Sequence, residues 1–178
     1  MTQTVTYAIG DVHGEADRLR QLHSHIFERH SAQFGNAQIR IVHLGDYVDR
    51  GPDSCGVIAA IMELEEAGAC EVVNLRGNHE QMLLDACFNP SRSNMDFWLL
   101  NGGEETLKSY QAHGHDHVTD EHLGWLEDLP TLYSDKQTQT VFVHAGIDVR
   151  KFPHCPESVR LWTRSPAFFD VEKWDNPA

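Results

Sequence analysis

The chain has few cations. Its 178 residues include 14 Lys and Arg against 27 Asp and Glu, a formal net charge of −13 at pH 7 with histidine neutral. A surface this acidic repels the nucleic-acid backbone, so we expect no nucleic-acid partner. The same charge disfavours phosphorylated ligands unless bound cations reverse the sign of the local field.

The sequence also lacks long apolar runs, a targeting segment and paired cysteines. No stretch is long and apolar enough to cross a bilayer. The first seven residues have neither the basic region nor the apolar region of a signal peptide. Cys55, Cys70, Cys87 and Cys155 form no CxxC pair, which favours free thiols over disulfides or a thiolate metal site. We therefore expect no membrane partner and a cytoplasmic location.

The first half of the chain alternates between strand-like and helical segments. The length predicts one domain over residues 1–178. The alternation predicts an α/β fold with parallel strands joined by right-handed crossovers. Predicted strands are Thr4–Ile9, Ile39–Leu44, Glu71–Leu75 and Thr138–Val143; predicted helices are Glu15–Arg29, Asp53 or Ser54 to about Ala67, Gln81–Cys87, Glu104–Gln111 and Asp120–Leu129.

Polar motifs follow the predicted strands at four places. Ligands bind outside the carboxyl ends of the strands in open α/β sheets, so residues at these places are expected to meet. A single Asp after one strand would be weak evidence for a binding site, but polar residues follow the strands at all four places. The motifs are Gly10–Gly14 (GDVHG), Gly45–Gly51 (GDYVDRG), Arg76–Glu80 (RGNHE) and His144–Gly146 (HAG), and their candidate ligands are Asp11, His13, Asp46, Asn78 and His144.

These side chains suit a site for two divalent cations. Asp11 and His13 are two residues apart, so in an extended chain both point to one side. The Asp46 carboxylate has two oxygens and can bridge two ions. Carboxylate, imidazole and amide oxygen ligands favour Mn, Fe or Zn over thiolate-binding metals. Two such ions roughly 3.5–4 Å apart stabilise an in-line phosphoryl displacement and activate water as hydroxide, so no protein nucleophile is needed.

The residues beside these ligands suit acid catalysis and phosphate binding. If Asn78 points at a metal ion, His79 points elsewhere, towards the leaving oxygen, as a general acid would. Asp49 can hold the His79 imidazole in orientation. Arg50 offers a planar guanidinium for phosphate oxygens.

Each motif taken alone also has a structural explanation. Asp46 and Asp49 could be turn residues beside Gly51-Pro52, and Glu80 is favourable in the first turn of a helix. The combination favours the catalytic reading. The remaining histidines are interpreted as structural, or as part of a solvated loop rather than a second metal site: His23, His25, His30, His43, and the loop residues His113, His115 and His117.

Residues 10–14, 45–51 and 76–80 resemble the signature blocks of the phosphoprotein phosphatase branch of the calcineurin-like metallophosphoesterases. The stretch 78–82, followed by Phe97–Gly103, is similar to bacterial and phage members of the bacteriophage lambda type. His144-Ala145 and Trp162–Arg164 extend the likeness in the same order. The resemblance covers nearly the whole chain.

The resemblance implies a β-sandwich flanked by helices, in place of the single open parallel sheet that alternation alone suggests. It implies two divalent ions, commonly manganese, and an acid pair of Asp49 and His79, with support from Arg76. It assigns Asp11, His13 and Asp46 to one ion, Asp46, Asn78 and His144 to the other, and Arg50 and Arg164 to the phosphate.

The chain departs from the family pattern at its end. Family members carry a further histidine ligand in a Gly-His-Thr segment on a late strand, whereas residues 165–178 contain no histidine. We therefore expect a C-terminally incomplete domain that lacks late strands and has an incomplete second metal site.

The expected function is metal-dependent hydrolysis of phosphomonoesters, with a phosphorylated protein or a small phosphoester as partner. The foremost candidate is a serine/threonine protein phosphatase in which metal-activated hydroxide attacks phosphorus. Two alternatives stay open. One is symmetrical hydrolysis of diadenosine tetraphosphate, and the other is a catalytically weak pseudo-phosphatase that binds phosphorylated ligands.

Overall fold

A computed structural model describes residues 3–164, 166–168 and 170. Its central sheet contains three parallel strands in the order β1 (Thr4–Ile9), β2 (Gln38–His43) and β3 (Glu71–Asn74). Ile9 pairs with His43, and His43 with Asn74, so the three strands end level with one another. The polar loops that follow them therefore start from one edge of the sheet, as the alternation predicts.

Helices α1 (Ala16–Phe34) and α2 (Ser54–Ala67) connect these strands, and α3 (Asn78–Phe88) follows β3. Helix α2 begins where the Asp53 carboxylate accepts the Gly56 amide, and it ends at Gly68, in the left-handed region with φ 59°. Helix α3 begins three residues earlier than predicted. Gly77 is its extended N-cap, and the Glu80 carboxylate accepts the Gly77 amide hydrogen. Asn78 and His79 are thereby fixed in the first turn of a helix.

The middle of the chain is helical, as predicted, but a strand that was not predicted follows it. Strand β4 (Leu132–Asp135) has only four residues, too few to show an alternating pattern. It pairs antiparallel with β5 (Thr140–Val143) in a second sheet. The remaining elements are α4 (Arg92–Trp98), a kinked turn (Leu99–Gly103), α5 (Glu104–Ala112), α6 (Asp120–Asp128), β4 (Leu132–Asp135), β5 (Thr140–Val143) and α7 (Glu157–Trp162), with 3-10 turns at Val149–Lys151 and Pro166–Phe168.

The second sheet makes a single open parallel sheet the wrong description and confirms the mixed architecture implied by the resemblance. Arg40 on β2 joins the two sheets: its Nη1 lies 2.7 Å from Asp135 Oδ2, and its guanidinium lies 5.6 Å from the centre of the Tyr133 ring. No strand follows β5 in the described part of the chain. The prediction that a last histidine ligand is missing concerns residues 165–178, and most of these, 171–178 among them, lie outside the described residues. No helix among the described residues is long and apolar enough to cross a membrane.

Two buried histidines face each other between β2 and α1. The Nε2 atoms of His43 and His23 lie 2.9 Å apart, and His43 Nδ1 lies 2.6 Å from Asn74 Oδ1. Asn74 donates its amide hydrogen to Glu65, so its oxygen faces His43. His43 therefore donates from Nδ1 and accepts from His23 at Nε2, with both rings neutral. Burial lowers the pKa of His43 to about 4, and it also lowers the pKa of His23.

This pair predicts a loss of stability in acid. Because the pKa of folded His43 is about 4 against 6.5 for an ordinary histidine, the unfolded state binds more protons between these values. The free energy of unfolding therefore falls as the pH drops through this window, by about 2–3 kcal/mol for this one group. Urea denaturation of the EDTA-treated protein at pH 7 and pH 4.5 measures the fall. The decrease in the free energy of unfolding between these two pH values should be smaller in His43→Gln by the contribution of this histidine. It should stay unchanged in His25→Gln, a substitution on the exposed side of α1. Equal falls in both variants would contradict the prediction.

Candidate metal centre

The structure brings the five predicted ligands to one place, from four separate loops and helix ends. Among the described residues, two sets of three side chains place their ligand atoms within 4.8 Å of one another. Asp46 belongs to both sets, as a bridging carboxylate would. The sets are Asp11, Asp46 and His144, and His13, Asp46 and His79; Asn78 adjoins the first through His144.

The two imidazoles are held so that their free nitrogens face the centre of this cluster. His13 Nδ1 donates to the Val48 carbonyl at 2.8 Å, and His144 Nδ1 donates to the Leu44 carbonyl at 2.9 Å. Nε2 of each ring is therefore an acceptor. These Nε2 atoms lie 3.5 Å from the two carboxylate oxygens of Asp46, one on each. Backbone carbonyls commonly fix the tautomer of metal-binding histidines in this way.

One contact in the cluster places two acceptors together. His144 Nε2 lies 2.9 Å from Asn78 Oδ1, and with the imidazole hydrogen on Nδ1 neither atom carries a hydrogen for the other. Both atoms offer lone pairs and could ligate one divalent ion. Imidazole, amide oxygen and carboxylate also form a donor set that suits Mn, Fe or Zn. The residues present therefore fit divalent ions.

The observed grouping differs from the partition that the resemblance implies. The resemblance assigns Asp11 and His13 to the same ion, but the Asp11 carboxylate lies in the set that contains His144. The resemblance assigns His79 to the acid pair and not to the ligands, but in the structure His79 lies in the set that contains His13. Asp46 is common to both sets, as that partition requires. The ion that each outer ligand holds stays a prediction.

Four residues of the site have left-handed backbones: His13 (φ 41°), Asp46 (φ 57°), Asp49 (φ 70°) and Arg50 (φ 68°). Such values are costly for residues other than glycine and are concentrated at functional sites. They arise because the loops after β1 and β2 turn sharply towards each other.

A buried carboxylate holds the loop after β2 in this conformation. Glu80 is fully buried and accepts the backbone amides of Asp46 at 2.8 Å, Tyr47 at 2.7 Å, Val48 at 3.2 Å and Gly77 at 2.8 Å. Burial, and then the neighbouring Asp46, raise the pKa of Glu80, while the hydrogen bonds from the Asp46, Gly77 and Tyr47 amides lower it. The sequence showed Glu80 only as a favourable residue for a helix start. Its role as an acceptor for a loop more than thirty residues away was missed.

Gly77 permits the contact between α3 and this loop. A Cβ atom at Gly77 would collide with the Asp46 carboxylate and with the Asp46 amide nitrogen. The glycine therefore lets the start of α3 approach the shared ligand directly. The close approach also allows the His79 amide to donate to Asp46 Oδ1 at 3.1 Å.

The structure places the predicted acid pair at the edge of the cluster. His79 Nδ1 lies 2.7 Å from Asp49 Oδ2, and the two side chains are 1% and 0% exposed. The His79 ring packs edge-on against His13, with ring centres 4.6 Å apart. Trp98 and Thr106 also donate to Asp49, and sequence reasoning missed both. Trp98 lies in the stretch 97–103 that carried the resemblance, but nothing in the sequence singled out Thr106.

The two arginines predicted to bind phosphate lie on different sides of the cluster. Arg50 is exposed, and its Nη1 lies 2.8 Å from His13 Nε2. Arg164 is exposed beyond the end of α7. Its neighbour Thr163 lies beside Gly146, two residues after His144, because a Cβ at Gly146 would lie 3.0 Å from the Thr163 methyl. Arg76 Nη2 lies 2.5 Å from Glu157 Oε1 and so anchors the first turn of α7.

The histidines of the loop after α5 form no three-ligand group within the described residues. His113, His115 and His117 are exposed. His113 Nε2 contacts Asp53 Oδ1 at 2.9 Å, a contact with the N-cap of α2 and not with the cluster. This arrangement agrees with a solvated loop.

Acceptors that face one another around a shared carboxylate, at the ends of strands in a mixed α/β fold, define a candidate centre for divalent metal ions. The profile described as "Calcineurin-like phosphoesterase" matches residues 5–172. The chain therefore belongs to the calcineurin-like phosphoesterases, a family that uses divalent metal ions.

Curated relatives carry two different activities in their names. The chain is 36% identical over 98 residues to "Serine/threonine-protein phosphatase 1" of Salmonella typhimurium, an alignment that covers 55% of this chain and 38% of that protein. It is 31% identical over 179 residues to "Bis(5'-nucleosyl)-tetraphosphatase, symmetrical" of Escherichia coli O1:K1, with 97% of this chain and 56% of that protein covered. The chain thus spans about half the length of the curated relatives it matches.

Solved structures with the same fold share little sequence with this chain. A protein serine/threonine phosphatase from Saccharomyces cerevisiae matches with a TM-score of 0.53 and 19% identity, over 96% of this chain and 51% of that one. A mutant of a cold-active protein tyrosine phosphatase matches with a TM-score of 0.56 and 22% identity, over 85% and 46%. At this identity the likeness establishes the fold.

Proposed function

We propose that this protein hydrolyses phosphomonoesters, and that its substrates are phosphoserine and phosphothreonine side chains of proteins. The observation that carries the proposal is the cluster around Asp46, in which the Nε2 atoms of His13 and His144 face the two Asp46 carboxylate oxygens and the Asn78 oxygen faces His144 Nε2. Family membership supports phosphoester hydrolysis. The relative named as a serine/threonine phosphatase supports the substrate class.

Asp11, His13, Asp46, Asn78 and His144 would hold two divalent ions, and we propose manganese for both. When bound, such ions polarise the phosphoryl oxygens and activate the attacking water. The Nδ1–H hydrogen bonds of His13 and His144 to backbone carbonyls orient both rings before any ion binds. Free cysteines at all four cysteine positions support a cytoplasmic location, in which thiols stay reduced.

The buried pair supplies the proton for the leaving group. In the doubly protonated ring, Asp49 accepts the His79 Nδ1 hydrogen while Nε2 gives its hydrogen to the departing alkoxide, which leaves a neutral imidazole with its hydrogen on Nδ1. Arg50 donates to His13 Nε2 and so occupies the lone pair that a cation would need. A guanidinium and a cation cannot share one lone pair, so Arg50 turns to the non-bridging phosphate oxygens when the ion binds. Arg164 holds the same phosphate from the His144 side.

Symmetrical hydrolysis of diadenosine tetraphosphate is the second candidate, favoured by relatives of that name that match 97% of this chain. Two observations weigh against it. A nucleoside diphosphate is a good leaving group and needs little protonation, whereas the chain holds a buried proton donor ready for a poor one. A dinucleotide with four phosphates must also approach a protein of net charge −13.

Parallel assays test the choice of substrate. The 178-residue protein is given manganese and offered a phosphoserine peptide, p-nitrophenyl phosphate and diadenosine tetraphosphate, with EDTA-treated protein as the control. We expect manganese-dependent release of phosphate from the peptide and the aryl ester at rates well above those for the dinucleotide. Preferential cleavage of the dinucleotide would favour the second candidate. Tight binding of the phosphopeptide without turnover, at one ion or fewer per chain, would support a pseudo-phosphatase.

A further inference from the structure

We propose that Trp98 and Thr106 are positioning residues that hold Asp49, and through it set the direction in which His79 delivers its proton. The proposal rests on the proposed function, because it names two residues that act behind the acid of that reaction. Both side chains are buried, at 1% and 0% exposure, and neither contacts the five candidate ligands in any described hydrogen bond. Their link to the cluster runs through Asp49.

The Asp49 carboxylate accepts hydrogen bonds from three different elements. Oδ2 accepts from His79 Nδ1 at 2.7 Å, while Oδ1 accepts from Trp98 Nε1 at 2.9 Å and from Thr106 Oγ1 at 2.7 Å. An indole nitrogen can only donate, so Oδ1 is an acceptor, and Asp49 as a carboxylate accepts the Nδ1 hydrogen of His79 at Oδ2. With both oxygens engaged from different directions, the plane of the carboxylate is fixed.

The hydroxyl hydrogens can be assigned by counting donors. Thr106 has one hydroxyl hydrogen and gives it to Asp49 Oδ1, while its oxygen accepts the Asp49 backbone amide at 2.9 Å. The Ser54 hydroxyl, 3.0 Å away, must then donate to Thr106. Thr106 thus binds both the backbone and the side chain of Asp49, a residue whose φ of 70° is unfavourable without such contacts.

The kinked turn between α4 and α5, where Gly102 has a φ of 108°, makes this arrangement possible. Trp98 ends α4 and Thr106 lies in the first turn of α5, so the turn at 99–103 sets where both donors point. A Cβ at Gly103 would lie 2.5 Å from the Trp98 indole, so the glycine lets this ring lie flat against the turn. In the same turn the Gly102 carbonyl accepts the Arg50 amide at 3.1 Å. The turn therefore also holds the backbone of Arg50, the residue that follows Asp49.

Misalignment of the acid should affect substrates unequally. A serine alkoxide leaves only if it is protonated, whereas p-nitrophenolate leaves readily as an anion. In Thr106→Val, which keeps the shape and removes the hydroxyl, we expect kcat for the phosphoserine peptide to fall on the order of tenfold with KM little changed. For p-nitrophenyl phosphate we expect less than about a twofold change. Thr106→Ser restores the hydroxyl and should recover kcat for the peptide.

Trp98→Phe tests the second donor, and Trp125→Phe is its control. Trp125 also donates through its indole, to Glu65 Oε2 at 2.9 Å, but away from the cluster. We expect the substrate-dependent loss in Trp98→Phe and none in Trp125→Phe. In metal-free protein, the NMR resonance of the His79 Nδ1 proton should shift in Thr106→Val and stay in place in Trp125→Phe. This readout and the threonine variants decide the question even where loss of the indole impairs folding.

A double variant separates positioning from general support of the fold. In a His79→Asn background the acid is absent, so adding Thr106→Val should cause no further loss. An additional tenfold loss in that background, or equal losses on the peptide and the aryl ester, would overturn the proposal. Wild-type protein that hydrolyses neither substrate would overturn the proposed function itself, whereas active wild type with equal losses overturns only the positioning role.

Discussion

His79→Asn should lower kcat for a phosphoserine peptide by on the order of 10²–10⁴-fold, the usual contribution of a positioned general acid. The bound ions should stay in place, because the five candidate ligands are untouched. The physical reason is the pair that His79 forms with Asp49, at 2.7 Å and with both side chains buried. Asparagine occupies a similar space but offers no titratable proton to an alkoxide.

Metal analysis of the same variant decides between two roles for His79. Its side chain lies in one of the two possible ligand sets, with His13 and Asp46, so it could act as a ligand instead of an acid. Steady-state kinetics and mass-spectrometric metal content, measured on the same preparation, distinguish these roles. Two retained ions with a collapsed kcat support the acid, whereas a lost ion supports the ligand. Undiminished turnover would refute both roles. His117→Asn, in the exposed loop after α5, serves as the control and should behave as wild type.

Asp46→Asn should remove both ions together. Asp46 is the one side chain common to the two sets of ligand atoms, with a histidine Nε2 3.5 Å from each carboxylate oxygen. Asparagine keeps an oxygen that can still accept the His79 amide, so the change isolates the loss of negative charge. Since the charge of the bridging ligand offsets that of both ions, we expect metal content to drop below one ion per chain. Turnover should fall on the order of 10³-fold or more.

The matched control for this variant is Asp116→Asn. Asp116 lies in the loop that contains His113, His115 and His117, and in the described part of the chain that loop forms no three-ligand group. Metal content and kcat should therefore equal those of wild type. Retention of two ions by Asp46→Asn would show that the shared carboxylate does not bridge them. Loss of an ion from Asp116→Asn would reveal a second metal site in the loop.

Much of the central sheet could be predicted because its signals are local. The bounds of β1 agree with the apolar run at Thr4–Ile9, and α2 begins and ends at its predicted cap residues. The gathering of Asp11, Asp46 and Asn78 followed from one rule, that parallel strands bring their carboxyl ends to the same edge. That rule needs only the type and order of the elements, which the pattern of apolar residues provides.

The parts that escaped prediction depend on contacts between distant residues. Strand β4 is stabilised by pairing with β5 and by the contact of Asp135 with Arg40, which is 95 residues away in the sequence. Glu80, Trp98 and Thr106 contribute single hydrogen-bonding groups to loops 30 or more residues distant. A glutamate, a tryptophan or a threonine in a helix has many possible partners, and the sequence does not indicate which one it meets.

The sequence by itself determined the chemistry available to this protein: which carboxylates, imidazoles and amides follow the strands, and in what order. Only the tertiary structure decided how those groups face one another. The carbonyls that fix the Nδ1 hydrogens of His13 and His144 come from residues 35 and 100 positions away. An imidazole becomes a ligand only when its other nitrogen has a partner for its hydrogen, and that partner is supplied by the packing of the chain.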